Sequence, residues 1–435
     1  VVGYIGTGYI GLQMQADDRE SLAVADELET ALYRWGGIKQ VNYRPYRRTS
    51  SQTFNYTIRW NYASRTDKGV HAAYNIIGTK LLVNTSDLES NAGHLSPASI
   101  AEINSFLPNS VRVLDAYRVT QRANARTWAE SRRYVYMLPL GRIGGNIDKL
   151  RDTLNLFVGT HKFINFAGVI PKSNTRPGRR KIRSNWTEAR NEREKETIEM
   201  FKKLNKGDWK VIPPEKRKES RYTRTIVSIK VQPYKDKEGR SFALITLHGK
   251  SFVLHQIRKI IGSAIAVVNG DLDVGVVKTA LKSLFNVYMP LAPGDMLVLD
   301  SVNPRPDEET VSKPAAAAGI RTRIALEKTD GRWDVERDEE IAVETRNRAE
   351  FFRDTVILPH VSELALLNDT WRVFDDEIKD MKRRHMCYDV LREKQELWDE
   401  YQTRMFALRR QAGMLSLKDK IQNDKQQRQA QIDSK

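Results

Sequence analysis

The run Ala63-Ser64-Arg65-Thr66-Asp67-Lys68-Gly69-Val70-His71-Ala72 constrains this chain more than any other stretch, because it sets an acid between two cations and just before a glycine turn. The segment before it, Tyr56-Thr57-Ile58-Arg59-Trp60-Asn61-Tyr62, alternates as a strand does. Gly69 offers the positive φ that a sharp exit turn needs. Asp67 is therefore expected just beyond a strand end, with Arg65 beside it. An opposite charge at that range lowers a carboxyl pKa and favours the anion. An ionised carboxylate suits a nucleophile rather than an acid. A turn aspartate with a solvated arginine neighbour is the competing reading of the same residues.

Charge narrows the choice of partner. The chain has 435 residues, and 72 Lys and Arg against 55 Asp and Glu leave a formal net charge of +17. That excess points to a polyanion, since each phosphate neutralised releases counterions. No apolar stretch approaches the roughly 20 residues of a membrane-spanning helix, so no membrane partner is expected. The single cysteine, Cys387, excludes an internal disulfide and a Cys-rich zinc cluster, and reads as a packed thiol. His248 and His255 lie seven apart without an acidic partner at ligand spacing, so no metal site is expected.

The length implies two or three domains, divided here as 1–118, 119–302 and 303–435. In the first, Leu22, Ala25, Leu28, Leu32 and Tyr33 recur at helical spacing, which predicts a helix from Ser21 to Trp35. The run Asn42-Tyr43-Arg44-Pro45-Tyr46-Arg47-Arg48 interleaves aromatics with cations, which suits stacking on bases or simply a solvated loop. A helix, a Leu-Pro break and a strand from Val111 to Tyr117 close this part. The second part carries a strand at Tyr134, a helix from Ile147 to Val158, and strands Thr225 to Pro233 and Ser241 to His248. A helix containing His255 and Arg258 follows. A charged insertion over residues 171–220 interrupts it and reads as an RNA-gripping or assembly-specific arm, or as a solvated surface insertion. After a Pro/Ala-rich linker at Pro314 to Ala318 the third part is helical, broken at Pro359. Phe374, Ile378 and Met381, then Leu397, Tyr401, Met405 and Leu408, mark an apolar face. The tail from Lys418 to Lys435 is polar and is expected to fray or bind a partner.

The Asp67 run closely resembles the signature loop of the TruA-type pseudouridine synthases. Colinear likenesses extend over residues 1 to 302: Gly3 to Gln15; Ile103 to Pro108; Asn124-Ala125-Arg126; Arg132 to Tyr136; Gly159 to Phe163; Ser251 to Gly262; and Ala292-Pro293-Gly294. Lys68 and the wording Ser251-Phe252-Val253-Leu254-His255-Gln256-Ile257-Arg258-Lys259 are similar to the eukaryotic branch, and Phe351 to Pro359 resembles its helical extension. Two positions depart from the pattern. Ser64 stands where glycine or alanine is usual, and Ala123 where phenylalanine commonly precedes Asn-Ala-Arg.

The resemblance implies an α/β fold of two halves that share a mostly antiparallel sheet, with the active site in a basic cleft between them and a C-terminal helical extension. It implies an isomerase that converts uridine to pseudouridine in tRNA, or in rRNA, without a cofactor. Asp67 is the implied nucleophile, by attack at ribose C1′ or by assisting loss of the C2′ proton. Tyr134 is the implied tyrosine that stacks on the base, and Arg258 the arginine that pairs with Asp67. At about 4 Å and an effective dielectric near 20, such a pair is worth roughly 4 kcal/mol before desolvation. Tyr136, two residues on, is expected to pack or support. Arg65 is the candidate for filling the place of an extruded uridine or holding the displaced backbone, with a salt bridge to Asp67 as the alternative. Lys68, His71, Arg126, Arg132, His255 and Lys259 complete the candidate RNA-contacting set, and His255 also reads as a structural histidine. A factor that binds rRNA or a ribosomal precursor, with catalysis secondary, is the alternative function. The expected state is a monomer or membership of a larger ribonucleoprotein. The chain opens Val1-Val2-Gly3 inside the first expected strand, which points to a removed organellar presequence and the mitochondrion. A nuclear leader or a truncated chain explains the same opening.

Overall fold

The computed structural model describes residues 1–14, 22–43, 58–89, 93–119, 123–168, 192–204, 211–212, 220–282, 285–304, 335–383 and 388–411. Gln15, the basic run 44–48, most of the 171–220 insertion, the Pro314 to Ala318 linker, Cys387 and the tail from Lys418 lie outside the described residues.

Ten strands are described: β1 Val2–Tyr4, β2 Asn61–Tyr62, β3 His71–Asn75, β4 Ile77–Gly78, β5 Val111–Val113, β6 Ala129–Pro139, β7 Gly159–Lys162, β8 Thr223–Lys235, β9 Ser241–Gly249 and β10 Leu297–Pro304. Eight of them form one sheet in the order β5-β1-β3-β10-β6-β9-β8-β7. Every pairing is antiparallel except β3 with β10, where Val298 lies opposite His71 and Leu299 opposite Ala72. That parallel seam joins the two expected halves. β3 is buried along its whole length, which suits its small Ala72 and Ala73 between two neighbouring strands.

The approach to Asp67 differs from the alternation pattern. Within residues 58–66 strand structure is confined to β2, which pairs with β4 in a separate two-stranded ribbon rather than in the main sheet. Arg59, at φ 54°, turns the chain immediately before it. The Val111 strand is also shorter than expected, because Tyr117 makes only an isolated bridge to His94.

The first long helix spans Val24–Arg34 and buries Ala25, Leu28 and Leu32, while Leu22 lies outside it. The helix Gln256–Val268 is apolar nearly all round, which marks a buried element. Its Ile257, Ile260, Ile261 and Ile265 are each at most 5% exposed. Each such side chain contributes about 1.5–3 kcal/mol of burial. This helix packs against Ile147–Asn155.

Compactness divides the chain into two units that do not follow the three sequence spans. One comprises Val1–Gly168, Ser220–Leu272 and Met289–Lys382; the other comprises Val169–Glu219, Asp273–Tyr288 and Arg383–Lys435. In the first unit the C-terminal helix Val335–Phe352 passes through a π turn, Arg353–Ile357, into Leu358–Leu364. Pro359 therefore does not break the helix. It follows directly on the π turn, whose wider winding accommodates the ring within a continuous helix. The helix Asn368–Arg383 then buries Phe374, Ile378 and Met381, as the spacing predicts, and Trp371 with them. Arg142 stacks 4.6 Å over Trp371 and reaches both oxygens of Asp375 at 3.0 Å.

In the second unit Tyr388–Gln411 pairs with Glu192–Leu204. Its buried face is set by Leu391 and Trp398, seven apart, whereas the half-buried Leu397 falls one position off it. Arg404 binds Glu196 at 2.7 Å and Glu400 at 2.9 Å.

Candidate active site

Four elements of the first unit meet at the β3/β10 seam: the loop before β3, the turn before β10, the middle of β6, and the start of the helix Gln256–Val268. Two glycines permit the approach. Gly69 has φ 79°, and a Cβ there would lie 2.5 Å from Asp295 Oδ1. At Gly294 a Cβ would lie 2.9 Å from the Lys68 carbonyl. Any side chain at either position pushes the loop away from the turn. Val70 N–H donates to the Asp67 carbonyl at 3.1 Å and closes the turn that aims the carboxylate.

The Asp67 side chain retains 26% of its exposure, and its partner within ion-pair range is His255, with Nε2 3.8 Å from Oδ2. Burial raises the Asp67 pKa, opposed by the charges of His255 and Arg258. This overturns the expectation from its sequence neighbour. Arg65 is exposed and does not set the ionisation of Asp67, so the carboxyl is pushed up rather than down. His255 also differs from expectation. It is not inside the helix but caps it, in the left-handed conformation at φ 63°. A non-glycine residue there is held by its surroundings. Burial lowers its pKa, against the pull of Asp67.

Arg258 lies behind this pair, and its Nε donates to the Ala292 carbonyl at 2.7 Å. The expected close pair with Asp67 is thus replaced by a longer-range field, because the guanidinium is drawn to the turn before β10. Tyr136, Asp67, Asp295 and Glu377 all favour its charged form against burial. Glu377 reaches this site from the helix Asn368–Arg383, accepting from Leu291 N–H at 2.7 Å. The Tyr136 ring is fully buried, and its hydroxyl has no hydrogen-bond partner among the described residues.

Tyr134 lies opposite Leu299 of β10 and Leu247 of β9. Its ring is 7% exposed and packs edge-to-face on Phe252 at 5.4 Å. Phe252 holds the ring, which leaves little of it for the expected stacking on a base. Its hydroxyl meets Ser64 Oγ at 2.6 Å. Burial raises its pKa, and the Ser64 bond and Arg132 pull it back.

The candidate RNA contacts divide sharply. Arg65, Lys68 and Arg126 are exposed. His71 is fully buried, accepting from Gly6 N–H at Nδ1 (3.2 Å) and donating from Nε2 to the Asp295 carbonyl (2.9 Å). Both nitrogens are spent, so His71 joins the loop to the turn instead of contacting RNA. Arg132, 8% exposed, distributes its guanidinium over the carbonyls of Ala63, Arg126, Ala129 and Lys250. It is a backbone clamp rather than a phosphate contact. Lys259 likewise donates to the carbonyls of Asn165 (3.2 Å) and Ala167 (3.0 Å).

Sequence reasoning missed Asn75, Asp295 and Glu377. A buried Asn in the apolar β3 is the signal that could have exposed the first, whereas Glu377 lies far along the chain on a helix whose charges look solvated. Among the described residues no group of three His, Cys, Asp or Glu is arranged to hold a metal, and no helix is long and apolar enough to cross a membrane.

Part of the chain is similar to known proteins. Residues 206–302 match the family model described as tRNA pseudouridine synthase. The human pseudouridylate synthase 1 homolog is 26% identical over 318 residues, covering 70% of this chain and 59% of the human one. The tRNA pseudouridine synthase 1 of Candida albicans is 26% identical over 364 residues, covering 69% and 56%. The enzyme of that name from Schizosaccharomyces pombe is 32% identical over 139 residues, covering 32% and 22%. The chain thus spans less than two thirds of the length of these relatives. The matched segment carries β9, the His255 cap, Arg258, the Gly294 turn and β10, the parts that surround Asp67 here, and over these residues the chain is similar to the tRNA pseudouridine synthases.

Proposed function

We propose that the chain isomerises uridine to pseudouridine in RNA, with tRNA as the substrate class. The observation that carries this reading is the Asp67 carboxylate, partly open at the β3/β10 seam and faced by His255, with Arg258 behind. In the reaction the bond from ribose C1′ to uracil N1 breaks and a bond from C1′ to C5 forms. C5 loses its proton and N1 gains one, so atoms and charge balance without an oxidant. Asp67 serves either by adding to C1′ as N1 leaves, or by drawing the C2′ proton so that a glycal forms. The two routes are distinguished by whether a covalent adduct forms.

A uridine within a helix must be extruded first, at a cost of a few kcal/mol. The exposed cations Arg65, Lys68 and Arg126 support phosphate contact along the way. The field of Arg258 opposes the desolvation of Asp67 and so favours the anion that the chemistry uses. Support for tRNA comes from the names of the relatives; rRNA is the second substrate to be tested.

The test is tritium release from 5-tritiated uridine in tRNA and in rRNA, with the parent chain and Asp67→Ala side by side. Release by the parent from tRNA, lost in Asp67→Ala, is the expected result. An equal signal from both proteins, or none from either RNA while both bind it, overturns the proposal.

A further inference from the structure

The loop that carries Asp67 is tied into the sheet by a buried polar chain. Asn75, fully buried in β3, accepts from Ser64 N–H at 3.3 Å and donates to the Ser64 carbonyl at 2.9 Å. The same amide reaches Tyr4 Oη at 3.2 Å, and Tyr4 meets Thr66 Oγ1 at 2.8 Å. Residues 64 and 66 are thus both fixed, and Asp67 follows directly. Ser64 Oγ, which takes no part in those bonds, crosses from the loop to β6 and meets Tyr134 Oη at 2.6 Å.

We propose that Ser64 is a positioning residue for Tyr134, its hydroxyl holding the phenol oxygen in register with the Asp67 loop so that nucleophile and phenol face an entering uridine as one unit. The inference rests on the isomerase reading above. Three observations support it. Ser64 is the hydrogen-bond partner found for Tyr134 Oη among the described residues. Both residues are buried, at 9% and 7% exposure, so water does not readily replace the bond. A residue without a hydroxyl at 64 leaves the phenol oxygen unpaired in a low-dielectric site, and such a group is costly.

The experiment is a double-mutant cycle with Ser64→Ala, Tyr134→Phe and the double variant, read by single-turnover tritium release and by RNA binding. Ser64→Ala is expected to slow release roughly 3- to 10-fold, the worth of one such bond, with RNA affinity changed less than about 2-fold. In the Tyr134→Phe background the same change should cost nothing further, since the hydroxyl it acts through is gone. A loss that persists undiminished in that background, or no loss at all, overturns the proposal.

A second readout does not need activity. Carbon-13 labelling at tyrosine Cζ gives a Tyr134 resonance, identified by its absence in Tyr134→Phe, which Ser64→Ala should shift in the RNA-free protein and carry to a higher titration pH. An unmoved resonance overturns the latch whatever the rates show. If the parent releases no tritium from any RNA, the isomerase reading fails by itself, and the resonance still decides whether Ser64 holds Tyr134. Ser64→Gly, which needs no extra room, stands in if the alanine variant does not fold.

Discussion

The His255 imidazole stands 3.8 Å from the Asp67 carboxylate, yet burial pushes the aspartate up and the histidine down. Desolvation therefore outweighs attraction in this pair. At that separation the contact is a field rather than a hydrogen bond. Since the proposed reaction uses the anion, the acid limb of single-turnover rate against pH should lie above the ordinary aspartate range. His255→Gln removes a charge that lowers the Asp67 pKa and should move that limb to higher pH. An unmoved limb would mean that the pair does not govern ionisation.

The same shift makes a stability prediction. A carboxyl whose folded pKa is raised binds its proton more tightly when native, so it weakens the fold above that pKa and ceases to do so below its unfolded value. Asp67→Asn should therefore raise the melting temperature at neutral pH, by roughly 2–4 °C for each kcal/mol recovered. The gain should shrink as the pH falls through the native pKa. Calorimetry at neutral and at acid pH checks both, and a variant that melts lower at neutral pH contradicts the reading.

His71 behaves in the opposite sense. Burial lowers its pKa to about 4, against an ordinary value of 6.5. Between those limits the unfolded chain binds more protons, so stability is lost as pH falls from about 6.5 towards 4. Each tenfold drop in proton affinity is worth about 1.4 kcal/mol. His71→Gln should flatten this part of the pH–stability curve; a curve as steep as the parent's would assign the loss elsewhere.

Arg132 and Arg126 give a paired test of clamp against contact. Arg132→Ala leaves four backbone carbonyls without their donor and should destabilise the chain by about 2–4 kcal/mol. Arg126→Ala should leave the melting temperature in place but reduce the salt slope of RNA binding by about 1. Denaturant unfolding and binding titrations at several salt concentrations separate the two. Interchanged results would overturn the assignment.

What the sequence made legible follows from where each signal is local. The turn at Gly69, the strand at Tyr134 and the face of Phe374, Ile378 and Met381 are set by near neighbours and by periodicity, and all three are present. Which cation faces Asp67 is a tertiary property. Arg65 is two residues away in the chain and is exposed, whereas His255 arrives from the start of the helix Gln256–Val268. The roles of His71 and Arg132 were hidden for a related reason, since a charged side chain in a basic protein reads as an RNA contact until its burial is seen. Pro359 misled because a π turn absorbs the register change that a proline otherwise forces.

The last relationship to test joins the sheet to the C-terminal helices. Asp300 of β10, with 3% of its side chain exposed, lies between two arginines. Arg133 of β6 reaches Oδ2 at 2.5 Å, and Arg353, at the start of the π turn, reaches Oδ1 at 2.7 Å. Arg353 also binds Asp354 at 2.7 Å, so the π turn is where the helix presents its cation to the sheet. Removing one arginine leaves the other, whereas removing Asp300 takes the shared acceptor from both, though Arg133 is half-exposed to solvent and Arg353 keeps Asp354. Asp300→Ala should therefore destabilise by about 1–3 kcal/mol, the range for charged hydrogen bonds lost to solvent-accessible partners, and Arg353→Ala by less. Hydrogen exchange adds a local readout. With Arg353→Ala, protection should fall first in residues 353–364 while β6 and β9 keep theirs, because the helices lose an anchor and the sheet does not. Uniform loss across the sheet would show instead that Arg353 supports the catalytic body as a whole.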